Sequence, residues 1–206
     1  SLLQVACADT LLTAEGFAGK PSGGATIAGT VSISLGGGLY ETKLDATSDS
    51  AWVYFDFENP SGITVANPST NNDWDIAFKR FMIKVNGGAS GNANVQVVAL
   101  NADNFASRTQ APSPFTPATN DVVDAGDGDD ACRPTPAGVL FAFLNSTATP
   151  NACWFSYSIG HLTVRDMTYI LRTYANKYYK IQIKAYYSET GTAAKYRFQW
   201  AEVTSP

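Results

Sequence analysis

The stretch from Asn72 to Gly91 constrains the fold of this chain more than any other. Within Trp74-Asp75-Ile76-Ala77-Phe78, large apolar residues alternate with small or polar ones. That period of two puts every second side chain on one face of a β-strand. The apolar phase then flips to Phe81, Ile83 and Val85. A one-residue slip moves a whole apolar set to the other face. The flip therefore predicts either a bulge near Lys79-Arg80 or a strand that changes the sheet it packs on. Either way the chain bends there. Asn86-Gly87-Gly88 tolerates the positive φ of a tight turn, and Val95-Gln96-Val97-Val98-Ala99-Leu100 is expected to return as a second strand.

The flanking sequence reads as further strands. Ile27, Gly29, Val31, Ile33 and Leu35 alternate with Ala28, Thr30, Ser32 and Ser34, which predicts a half-buried strand stopped by Gly36-Gly37-Gly38. No Lys-Ser/Thr pair follows those glycines, so they are a turn and not a phosphate loop. Trp52 to Phe57 and the apolar run Val139-Leu140-Phe141-Ala142-Phe143-Leu144 are strand candidates, and another element begins at Trp154. Thr168 to Tyr174, Tyr178 to Tyr187 and Lys195 to Val203 form a carboxy-terminal meander turning at Asn176 and Gly191. In its middle strand Tyr179, Ile181, Ile183, Ala185 and Tyr187 are expected on one face, with Lys180, Gln182 and Lys184 on the other. No helix beyond a turn or two is needed. The expectation is an all-β single domain of twisted antiparallel sheets over residues 1–206. Residues 1–24 form a loosely ordered lead-in, and 101–138 an irregular insertion punctuated by Pro112, Pro114, Pro117, Pro134 and Pro136.

With 206 residues and 45% hydrophobic content, the chain can bury one full core. A formal charge of -4 and an isoelectric point near 4.9 argue against nucleic acid and anionic membrane surfaces as partners, since both need a clustered Lys/Arg face. No run approaches the roughly 20 apolar residues of a membrane-spanning helix. Ala6-Cys7-Ala8 fits a signal-peptidase site, and Val5-Ala6-Cys7 fits a loose lipid-attachment box with Gln4 before it. Both imply export, and an ordered first strand is the competing reading. In an exported chain Cys132 and Cys153 are expected to form a disulfide worth roughly 3 kcal/mol, leaving Cys7 over. The acidic run carries Asp124, Asp127, Asp129 and Asp130 around Gly128, either a calcium site or a solvated acidic turn. The single histidine, His161, has no Gly-x-Ser-x-Gly nucleophile to serve, so catalysis is not expected.

Trp74-Asp75-Ile76-Ala77-Phe78-Lys79-Arg80, then a strand, then Asn86-Gly87-Gly88-Ala89-Ser90-Gly91, resembles the signature of the HmuY-like family. These are bacterial surface lipoproteins whose best-known members bind haem. Leu39-Tyr40-Glu41 and Trp52 to Phe57 upstream fall in the family's order, as do Tyr169-Ile170-Leu171-Arg172 to Tyr187 and Tyr196 to Trp200 downstream. The resemblance implies a non-catalytic, exported β protein that takes haem and meets an outer-membrane receptor or a self-assembly partner. It also implies that a histidine or methionine near the end of the sheet, shortly after a Trp-containing strand, ligates the iron, which points to His161. The alternative for His161 is an ordinary loop histidine. The family's second ligand comes from the middle segment, which here is the Pro-rich acidic insertion and holds neither His nor Met. Met167 lies an even number of residues from His161 and would point the same way on a strand, while Met82 is expected in the core. The alternative function is a structural or interaction module that keeps the scaffold without haem.

Overall fold

The computed structural model describes residues 29–60, 62–88, 90–100, 104–116 and 154–206. Among them there are eleven strands and no helix. The strands are β1 (Thr30–Gly36), β2 (Leu39–Asp45), β3 (Val53–Phe55), β4 (Ile76–Lys79), β5 (Met82–Val85), β6 (Gln96–Leu100), β7 (Phe155–Ser158), β8 (His161–Val164), β9 (Thr168–Arg172), β10 (Tyr178–Tyr187) and β11 (Ala193–Val203). A six-stranded antiparallel sheet runs in the order β1-β2-β11-β10-β9-β6, a three-stranded sheet in the order β3-β4-β5, and β7 pairs with β8. The lead-in 1–24, most of the insertion and the apolar run from Val139 to Leu144 lie outside the described residues.

Alternation places the core between the two larger sheets. Leu44, Tyr196, Phe198, Trp200, Tyr179, Ile181, Tyr169 and Leu171 of the large sheet meet Phe55, Ile76, Phe78, Ile83 and Val85 of the small one. The rings interlock, with Phe78 stacked on Phe198 at 5.4 Å and Phe55 edge-on to the same ring at 5.4 Å. The indole of Trp200 donates to Thr42 Oγ1 at 2.9 Å, so neither polar atom is left bare in the core. The opposite face of the large sheet is partly covered by residues 104–116, where Ala111 packs with Ile170 and Val203. Lys180 pins that segment. Its ammonium donates to the carbonyls of Phe105 and Arg108, both at 2.8 Å.

Three local expectations are corrected. The phase flip after Phe78 is neither a bulge nor a change of sheet but a two-residue hairpin turn, with Lys79 opposite Met82 and Phe78 opposite Ile83. Arg80 has φ of 52° and carries no Asn-Gly signature. Its conformation is held from outside by Ala46 O, which accepts its N–H at 2.8 Å, and by Asp49, 3.3 Å from Nε. Second, β6 does not return beside β5 but crosses to pair with β9. Third, β1 turns its apolar set outward, leaving Val31, Ile33 and Leu35 exposed while Thr30 is buried.

The glycine-rich motif after β5 has a steric cause. Asn86 ties two segments together through four residues: its side-chain amide donates to Asn71 O at 2.7 Å and Trp74 O at 2.9 Å, its N–H to Asp75 O and its carbonyl accepts from Val95 N, both at 3.0 Å. A Cβ on Gly91 would sit 1.9 Å from Asn86 Oδ1, and one on Gly87 would sit 2.4 Å from the Val95 carbonyl oxygen. Asp75, at the strand start, accepts the Phe57 N–H at 3.0 Å, which gives it the structural role its place beside Trp74 suggests.

Candidate functional site

The β7–β8 hairpin is a separate small ribbon, anchored to the two larger sheets through Trp154 and Leu162 and closed at its own base by Arg165. Trp154, just before β7, is buried in the core, and its indole donates to Phe81 O at 3.1 Å. Leu162 is buried as well, and its N–H donates to the phenolic oxygen of Tyr187 at 3.1 Å. Arg165 closes the base, its N–H donating to Trp154 O at 3.0 Å and its Nε to Phe155 O at 3.1 Å. Between these anchors the hairpin projects its turn, Ile159-Gly160, into solvent.

That turn has both central residues at positive φ, 48° at Ile159 and 75° at Gly160, the conformation that fits the twist of a two-residue hairpin. Glycine suits it. Isoleucine does not, because a branched Cβ in the left-handed region is strained by about 1–2 kcal/mol. Ile159 is nonetheless fully exposed, so among the described residues no packing repays that strain.

His161 follows directly and lies opposite Ser158 in the hairpin register. Its imidazole is exposed and stacks flat on Tyr187, ring centroids 4.6 Å apart and planes 9° apart. The stacking fixes the ring plane, and the hydrogen bond from Leu162 fixes the tyrosine beneath it. Tyr187 is in place because β10 breaks its alternation. Register shifts between Ile183 and Ala185, and again between Ala185 and Tyr187, move Tyr186 into the core and free Tyr187 for the hairpin. Bulges of this kind re-aim side chains beside functional sites. The expected common face for Tyr179 through Tyr187 thus holds only as far as Ile183. The consecutive pair Tyr186-Tyr187 was the signal in the sequence, since strict alternation cannot bury both.

The remaining candidates separate. Met167 is buried in the main core and is not beside His161 as a ligand. Met82 is half-exposed on β5, outside the core where it was expected. Asp124, Asp127, Asp129, Asp130, Cys132 and Cys153 lie outside the described residues. Among the described residues, no group of three or more His, Cys, Asp or Glu side chains is arranged to hold a metal ion. Within them no helix is long and apolar enough to cross a membrane.

A second cluster of ionisable groups sits away from this hairpin. The carboxyl of Asp75 is buried, faces Asp56, and shares a hydrogen bond with it. Burial, reinforced by the Asp56 charge, pushes Asp75 well above the usual carboxylate range. Burial also lifts Asp56 to about 6; the Glu58 charge adds to the rise and the Glu58 N–H bond opposes it. The pair stands at the joint between β3 and β4, where it bears on stability.

Comparison with known proteins agrees with this architecture. The family model for HmuY protein matches residues 48–200. No curated protein matches the sequence. Among solved structures, the apo HmuY analogue of Tannerella forsythia superposes with a TM-score of 0.53 at 14% identity, covering 84% of this chain and 96% of that one. A Bacteroides vulgatus protein described as HmuY-like and haem-binding gives 0.50 at 13% identity, covering 84% and 96%. At such identities the structural likeness is one of fold. The family match spans well over half of the chain, from before β3 into β11, and on that ground the chain belongs to the HmuY family.

Proposed function

We propose that this protein is a non-catalytic haem binder whose ligand sits at the tip of the β7–β8 hairpin, with His161 as the axial ligand. The observation that carries the reading is the flat stack of His161 on Tyr187. It orients an exposed imidazole without burying it, as a ligand-presenting residue requires. Ile159 adds an apolar contact beside it, at a φ that a purely structural turn would give to Asn or Gly. Bound haem would supply an iron coordination position for an imidazole nitrogen and a flat apolar ring for contact. The residues present fit a haem held through one histidine, because Met167 is committed to the core. Family membership supports export to the cell surface and a carrier role in haem acquisition.

Titrating the protein with haemin tests this directly. The expected result is a sharpened, shifted Soret band saturating at one equivalent, lost in His161→Ala while the far-UV spectrum is unchanged. A free-haemin spectrum with the unmodified protein, or equal binding by His161→Ala, would overturn it.

A further inference from the structure

The site around His161, the chain's one histidine, is built from one side only. A haem iron has two axial positions, which proteins fill with histidine, methionine, cysteine or tyrosine. The imidazole and the Tyr187 ring lie 9° from parallel with centroids 4.6 Å apart. An iron bound to an imidazole nitrogen lies in the plane of that ring, so a second ring stacked on its face stands beside the bond and not across the metal from it. Tyr187 also keeps its oxygen on the Leu162 N–H at 3.1 Å. It steers His161 and does not oppose it.

The sequence holds two methionines, and neither stands at the hairpin tip. Met167 is 6% exposed within the main core. Met82 follows Phe81, whose carbonyl accepts from the Trp154 indole at 3.1 Å and whose ring meets Phe155 at 6.1 Å, so it stands by the base of the β7–β8 hairpin. His161 pairs with Ser158 at the other end, about 10 Å along the strand from Phe155. The residues outside the described ones contain no histidine, methionine or tyrosine. At the tip, a Cβ on Gly160 would meet no atom within 4 Å and Ile159 stands in solvent, so among the described residues nothing covers the approach to the turn.

We propose that the second axial position at this site is taken by an imidazole donor from outside the chain, a histidine presented by a partner protein. The inference rests on the haem reading above and adds the chemistry of the partner to it: this chain grips from one side, and the open turn is where the partner docks. Ile159 and Gly160 carry no charge, and a neutral imidazole ligates without bringing one to them.

The test loads the full chain with one equivalent of haemin at neutral pH in a buffer free of nitrogen donors. Optical and electron paramagnetic resonance spectra give the spin state before and after titration, first with imidazole and then with a peptide carrying one histidine. The expected result is a high-spin spectrum that either probe turns low-spin at one donor per haem, in the unmodified protein and in Met82→Leu alike. A low-spin spectrum before any probe is added would overturn the inference, because the chain would then fill both positions itself, with Met82 as the donor if Met82→Leu abolishes it and a cysteine if it does not. So would haemin saturating at half an equivalent, which gives the far side to His161 of a second copy, or a peptide that leaves the spectrum unchanged where imidazole alters it. Haemin that keeps its free spectrum throughout would remove the haem reading itself, and this inference with it.

Discussion

Two hairpins in this protein share the same two-residue loop length and treat their turns in opposite ways. In β4–β5 the turn residue Arg80 has positive φ, and the structure closes on it: Ala46 O takes its N–H, Thr47 O takes Nη1 at 3.1 Å, and Trp154 binds the next carbonyl. In β7–β8 the turn residues Ile159 and Gly160 also have positive φ, and no described residue closes on them. A Cβ on Gly160 would meet no atom within 4 Å, and Ile159 stands in solvent. Strain held by surrounding contacts serves the fold, whereas strain that no described residue relieves fits the ligand-bearing role proposed for the second turn. The family signature belongs to the first hairpin and records packing. The ligand reading belongs to the second.

The largest effect that would sharpen this contrast comes from adding one methyl group to each region. Gly87→Ala drives a Cβ onto the Val95 carbonyl and is expected to cost about 3 kcal/mol or more. Gly160→Ala in the open turn carries only its backbone cost, about 1 kcal/mol. Chemical denaturation of both variants checks the pair, and equal losses would erase the distinction.

The Asp56–Asp75 pair gives a smaller, pH-dependent effect on the packed side. Both carboxyls are raised in the folded state, so folding favours their protonated forms. The stability that Asp56 contributes is fully present below the unfolded value of 3.8 and is lost as pH rises through about 6, and that of Asp75 is lost in the same direction. Asp75→Asn keeps an acceptor for the Phe57 N–H and removes the buried charge. It is expected to stabilise the protein at pH 7 by about 1 kcal/mol and to flatten the fall between pH 4 and 6. Melting curves across that range check this, and a variant less stable than the parent at pH 7 would refute it.

The smallest effect differs in sign between the hairpins. Asparagine tolerates the left-handed region, so Ile159→Asn should gain about 0.5–1 kcal/mol in the absence of ligand. Arg80→Asn should lose about 1 kcal/mol, because the bonds to Thr47 and Asp49 go with the guanidinium. Haemin affinity should fall in Ile159→Asn and hold in Arg80→Asn. A destabilised Ile159→Asn would show that the open turn is not strained.

Much of the sheet was legible because alternation and burial coincide where both sheets cover a strand. β10 runs from Tyr178 to Tyr187, the expected bounds, and Tyr196, Phe198 and Trp200 of β11 all enter the core. What escaped the sequence depends on contacts far along the chain. Arg80 makes a turn only because residues 46–49 hold it there. β6 could not be assigned to β9 from local pattern, since β9 begins beyond the insertion. β1 alternates like a core strand, and nothing local says which face the sheet will cover. At the site, His161 was evident as the chain's one histidine, but Tyr187 was not, because the register shifts in β10 that release it appear in the sequence only as two adjacent tyrosines.

Because the chain has one histidine, labelling it with ¹⁵N gives a single pair of imidazole signals, and gallium protoporphyrin supplies a diamagnetic stand-in for haem. The account predicts that one ring nitrogen moves to a metal-bound position as one equivalent of the porphyrin is added, and that the change is lost when Tyr187→Ala removes the ledge. Histidine signals that stay where they were at saturating porphyrin would contradict it.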